Sequence, residues 1–133
     1  MSRTLTFEIE GGKPLHNPPF ELVRQLLSSI NPKGPSYFVL SDETGSYLQA
    51  AGARLRMTVE HRRVTPFGLQ HFVLGTDTAD ETEISINYSG GAIRLRRSEV
   101  LSLSRAIEIF RNFYETGNRP EDLARRETTV AFK

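Results

Sequence analysis

Leu5, Phe7 and Ile9 alternate with Thr4, Thr6, Glu8 and Glu10, a period of two that predicts a strand with one buried face. The pattern then breaks. Gly11 to Pro19 is rich in turn formers, and Asn17 ahead of Pro18-Pro19 predicts a helix start, because asparagine can cap free amides and proline tolerates the first turn. From Phe20 to Ile30 the period lengthens: Phe20, Val23, Leu26, Leu27 and Ile30 form one helical stripe, ended by Asn31-Pro32.

The period of two then returns. Tyr37 to Leu40 and Tyr47 to Ala51 read as strands joined by a turn at Thr44-Gly45. Leu55, Met57 and Val59 alternate with Arg54, Arg56, Thr58 and Glu60, which predicts one buried and one charged face. Thr65-Pro66-Phe67-Gly68 turns the chain back into Leu69 to Leu74. A polar, acidic loop spans Thr76 to Thr82. Beyond it, Ile84, Ile86 and Tyr88 alternate with Ser85 and Asn87, and Gly90-Gly91 closes a hairpin onto Ile93 and Leu95, with Arg94 and Arg96 outside. A second helix is marked by Ser102 as cap and by a stripe of Leu103, Ala106, Ile107, Phe110, Phe113 and Tyr114. Gly117 stands where a left-handed residue ends a helix, and Pro120 follows. The alternating tail from Thr129 to Phe132 adds an edge strand. The expected fold is α+β: a single domain over residues 1–133, with a mostly antiparallel meander and two helices packed on one face.

Composition narrows the function classes. The 133 residues suit one domain, and 17 basic against 16 acidic residues give a net charge of +1, without the basic excess of dedicated nucleic-acid binders. The absence of cysteine removes disulfides, thiolate metal sites and thiol nucleophiles. No apolar run approaches the roughly 20 residues of a membrane span, and the N-terminal segment does not read as a signal peptide. A cytoplasmic protein without a membrane partner is the economical expectation.

The search for chemistry starts with histidine. His61 and His71 are equidistant from Pro66, so a symmetric hairpin would set them opposite each other, close enough to share a metal. Zinc, however, takes three or four protein ligands, and the alternative is two histidines at the polar end of a hairpin. His16 belongs to a solvated turn. There is no Gly-x-Ser-x-Gly elbow, no Walker loop, no dinucleotide fingerprint and no cysteine-based deaminase signature. The expectation is a binding protein and not an enzyme, with neither cofactor nor metal.

Two charged surfaces are candidates for that binding. Asp77, Asp80, Glu81 and Glu83 form an acidic cluster that reads either as a solvated loop or as a docking surface for a basic partner, with Phe67 as an exposed aromatic anchor. Arg54, Arg56, Arg62 and Arg63 with Arg94, Arg96 and Arg97 would form a basic stripe if their strands are neighbours. Such a stripe would contact nucleic acid, with Tyr47, Phe72 and Phe38 as stacking candidates that fit a core equally well. Otherwise the arginines pair with Glu60, Glu83 and their neighbours.

A resemblance gives the protein-binding reading a partner. Phe38-Val39-Leu40, Gly45-Ser46-Tyr47-Leu48-Gln49, Thr58-Val59-Glu60 and His71-Phe72-Val73-Leu74-Gly75 occur in an order that resembles small immunity proteins of bacterial polymorphic toxin systems. The group is often paired with deaminase-fold toxins. Val100-Leu101-Ser102-Leu103-Ser104-Arg105-Ala106, continuing to Phe113-Tyr114-Glu115-Thr116-Gly117 and Pro120, is similar to that group's late helix. Where such proteins often carry a tryptophan beyond the proline, this chain has Leu123-Ala124-Arg125-Arg126. The resemblance implies a stoichiometric inhibitor that binds a cognate toxin protein and occludes its active site. Nucleic acid is the alternative partner.

Overall fold

The computed structural model describes residues 3–76 and 80–129. The alternating segments become strands of one antiparallel sheet: β1 (Leu5–Ile9), β2 (Leu15–His16), β3 (Tyr37–Asp42), β4 (Tyr47–Ala53), β5 (Arg56–Thr65) and β6 (Gly68–Gly75). Strand β7 (Glu83–Tyr88) and strand β8 (Gly91–Arg96) pair only with each other, and β9 (Ala124–Glu127) closes the large sheet in the order β2-β1-β3-β4-β5-β6-β9. Helix α1 (Phe20–Leu27) and helix α2 (Leu103–Thr116) pack together on one face, as their single apolar stripes require. Among the described residues, no helix is long and apolar enough to cross a membrane.

The core lies between that face and the helices. Phe7, Phe38, Leu40, Leu48, Met57, Val59 and Leu74 are supplied by the sheet; Val23, Leu27, Ile109, Phe110 and Phe113 come from the helices. Ser102 caps α2 by accepting from the Arg105 amide at 3.2 Å, and Gly117 ends it at φ +81°. Arg3 completes that end: it donates to the Phe113 carbonyl at 2.9 Å and lies over the Phe113 ring. A β-carbon on Gly117 would come within 2.7 Å of the Arg3 guanidinium, which could swing aside, so it is the positive φ that calls for glycine here.

The β7–β8 hairpin forms a third layer on the opposite face. Ile86 and Leu95 are buried toward the sheet, while Arg94 and Arg96 point outward. Its tip is tied down by Ser89, which hydrogen-bonds Glu10 and donates its amide to Ser36 Oγ at 2.9 Å. At its base, the 3-10 turn Arg97–Glu99 approaches β6 so closely that a β-carbon on Gly75 would meet the Ser98 carbonyl at 2.8 Å. There Glu99 is 4% exposed and takes a bidentate pair from Arg126 at 2.8 and 2.9 Å, plus the Arg96 amide at 2.8 Å. Burial pushes the Glu99 carboxyl upward, but the Arg126 and Arg96 hydrogen bonds and charges outweigh it and hold it below its ordinary value.

Several sequence expectations need correction. Helix α1 ends at Leu27, not Ile30, because the hydroxyls of Ser28 and Ser29 take the Arg24 and Leu26 carbonyls. Asn17 does not cap it: at φ 49° its Oδ1 accepts from the Leu5 amide, and Leu15–His16 pairs with β1 instead of forming an open loop. Leu55 is 86% exposed in the β4–β5 turn, outside the alternation kept by Met57 and Val59. The meander does not run through the β7–β8 hairpin, which leaves the sheet for its other face. Ala124–Glu127 forms an edge strand that the alternation does not mark, and residues 130–132 of the expected Thr129 to Phe132 strand lie outside the described residues.

Candidate functional site

Strands β5 and β6 pair Thr65 with Gly68, so Pro66 and Phe67 alone form the tip, and Phe67 is 100% exposed there. Two pairs inward, Arg63 faces Gln70. With a side-chain period of two, Arg63 shares the helix-facing side of β5 with Met57, Val59 and His61. It lies beyond the end of the core and is exposed. The loop after Gly117 brings Asn118 and Arg119 to the same place, and β9 brings Arg125.

Arg63, Asn118, Arg119, Glu121 and Arg125 line an open cleft of about 410 Å³. Its floor is unusual. The Arg119 guanidinium lies 4.6 Å above the Phe72 ring, and Nη1 donates to His61 Nδ1 at 2.9 Å. Arg125 lies 5.9 Å from the same ring centre. Among the described residues, no carboxylate forms an ion pair with Arg63, Arg119 or Arg125. Three guanidinium groups against the single Glu121 carboxylate leave a net charge of +2 around the cleft. Burial lowers the Arg119 pKa, and the charges of Arg125 and Arg63 lower it further.

His61 is fully buried between Phe72 and Phe113. Because a guanidinium only donates, Nδ1 must be the acceptor and the ring proton sits on Nε2. That Nε2–H has no hydrogen-bond partner among the described residues. Burial brings the His61 pKa down to about 4, helped by the charges of Arg119 and Arg63, so the ring is neutral.

The expected histidine pair does not exist. The register sets His61 opposite Phe72 and His71 opposite Arg62, so the two rings emerge on opposite faces. His71 instead meets Glu60 at 3.2 Å. The tip has two residues, and its centre falls between Pro66 and Phe67, which moves every partner by one. A metal bridging these histidines is excluded by that register. No group of three or more metal-ligating side chains occurs among the described residues.

The two charged surfaces meet only in part, where the arginines of β8 and the turn after it face the acidic cluster. Glu83 pairs with Arg94 at 2.8 Å, Glu81 with Arg96 at 3.6 Å and Asp80 with Arg97 at 3.6 Å. Asp77 lies outside the described residues. Arg54 sits in the β4–β5 turn, Arg56 reaches the Ser85 carbonyl at 3.4 Å, and Arg62 lies over Tyr47. Phe38 and Phe72 belong to the core, at 0% and 5% exposure, and present no face to a base.

Sequence reasoning named Arg63 and Phe67 but missed Asn118, Arg119 and Arg125, which a loop and an edge strand bring in from more than fifty positions away. One signal was available: His61 continues the buried alternation of Met57 and Val59, so it had to be a polar ring in the core. In comparisons with known proteins, no protein-family model matches this chain, and no curated protein sequence does either.

Proposed function

We propose that this chain is an immunity protein that binds a cognate bacterial toxin domain one-to-one in the cytoplasm and occludes its active site. The supporting observation is the pairing, at one end of the molecule, of a wholly exposed Phe67 on a short hairpin with an arginine cleft whose guanidinium groups form no ion pair among the described residues. Aromatic and arginine side chains are the residues that most often anchor protein interfaces. A patch of about 800 Å² on this partner, the usual size for a specific complex, is large enough to take in both features. The resemblance of the meander and late helix to toxin-neutralising proteins agrees with that chemistry. The acidic residues Asp80, Glu81 and Glu83 would belong to the same reading only if a basic partner displaced their arginines, and Asp77 would accompany them.

The test is co-expression. Cells producing the toxin domain encoded by the neighbouring gene are expected to survive when this chain is made with it, and the two proteins to co-purify in equal amounts. A toxin that stays fully lethal beside well-expressed chain overturns the reading.

A further inference from the structure

We propose that the Arg63–Arg119–Arg125 cleft is an oxyanion site that takes the carboxylates of an acidic segment on the partner, and that His61 and Phe72 serve to hold Arg119 in place for it. The inference deepens the protein-binding reading and rests on it for the identity of the partner.

Three observations lead here. The first is charge: several surface arginines stand singly beside an acid, as in Arg94 with Glu83, Arg105 with Asp122 and Arg97 with Asp80. In the cleft, three like charges converge with one carboxylate at the rim. Placing them together is unfavourable unless an anion arrives.

The second is the cost of His61. A buried imidazole with one nitrogen unpartnered costs about 1–3 kcal/mol in lost solvation. A phenylalanine or leucine would fill that core position without the penalty. Among the described residues the one hydrogen bond the ring makes is to Arg119, so the polar atom fixes a guanidinium. Phe72 holds the flat side of the same group. Clamped by ring and imidazole, Arg119 presents its remaining N–H donors in one orientation, which is what bidentate carboxylate binding needs.

The third observation separates an acidic protein segment from single-stranded nucleic acid. Bases stack on open aromatic faces, and the one ring on the floor of the cleft, Phe72, is covered by Arg119 and Arg125 and almost fully buried, while Phe67 stands apart at the hairpin tip and is not among the residues lining the cleft. A strand also needs charges along a track. Here they sit at one point, while Arg94, Arg96 and Arg97 are already paired.

The experiment follows the Arg119 Nε–Hε NMR signal of the full chain during titration with hexaglutamate, and separately with a twelve-residue oligothymidylate. Hexaglutamate is expected to shift that signal saturably, with affinity at least tenfold weaker in Arg125→Glu and a few-fold tighter in Glu121→Gln. His61→Leu should lose the shift and His61→Asn, which keeps an acceptor, should restore part of it. A role for His61 in stability alone would leave the shift intact in both. Arg63 and Arg125 are exposed, so their variants test the site even where a His61 variant fails to fold. No saturable shift with hexaglutamate, or tighter binding of the oligonucleotide through the same signal, overturns the proposal. A toxin that binds wild type and Arg125→Glu equally removes the cleft and leaves the immunity reading standing. A toxin that ignores wild type, while hexaglutamate still binds, removes the reading and leaves the cleft.

Discussion

The outer face of the β7–β8 hairpin and the cleft at the end of α2 carry similar numbers of arginines to opposite effect. On the hairpin each of Arg94, Arg96 and Arg97 has an acid within 4 Å, contributed by the preceding strand or loop. In the cleft, Arg63, Arg119 and Arg125 come from three distant parts of the chain and have one another for neighbours. The first arrangement satisfies itself. The second is complete only when something negative is added, and that makes it the better candidate for recognition.

Four measurements test the difference between the two surfaces. The largest effect belongs at the root of the paired surface. Glu99→Ala removes a buried carboxylate that accepts from the Arg126 guanidinium and the Arg96 amide, and should cost about 3 kcal/mol in urea unfolding. A loss below 1 kcal/mol would mean that the hairpin layer is held by apolar contact alone.

Next comes pH. His61 has a pKa of about 4 in the fold against about 6.5 when unfolded, so the unfolded chain takes up the proton first. The contribution is fully present above pH 6.5 and is lost as pH falls toward 4, by about 3 kcal/mol. Arg119, Arg63, His71 and Asp42 set the field around the ring. His61→Phe should flatten this part of the stability profile, and an unchanged profile would show that the ring is not held neutral by its surroundings.

Phe67→Ala should weaken toxin binding about tenfold, or about 1.4 kcal/mol, with no change in unfolding midpoint, since nothing in the chain touches that side chain closely enough to bury it. The smallest effect is expected at Arg94→Ala. Its ion pair with Glu83 is exposed on both sides, so stability should move by less than about 0.5 kcal/mol, and still less in high salt.

How much of this was legible beforehand depends on the distance over which each feature is built. Alternation and helical spacing are local, and they placed β1, β3 to β8 and α2 well; Ser102 and Gly117 marked the ends of α2 because capping chemistry is local too. Errors arose where a side chain had two uses. Asn17 could cap a helix or satisfy β1, and it does the latter. Ser28 and Ser29 could continue a helix or close it, and they close it. The histidine pairing failed on a half-residue shift in the turn centre, which no composition argument detects. The acidic loop and the arginines of β8 were each visible, but that they neutralise each other follows from the hairpin folding the two side by side. The cleft was invisible because it joins β5, the loop after α2 and β9, and only the packed fold brings these together.

The central claim is that the unpaired end of the molecule binds the partner and the self-paired hairpin does not. Protection of toxin-producing cells by two double variants tests it most directly: Arg63→Glu with Arg125→Glu in the cleft, and Arg94→Glu with Arg96→Glu on the hairpin, each checked for folding. The account predicts that protection and co-purification are lost in the cleft variant and kept in the hairpin variant. The opposite pattern, with the cleft variant protecting as well as wild type and the hairpin variant failing, would contradict it.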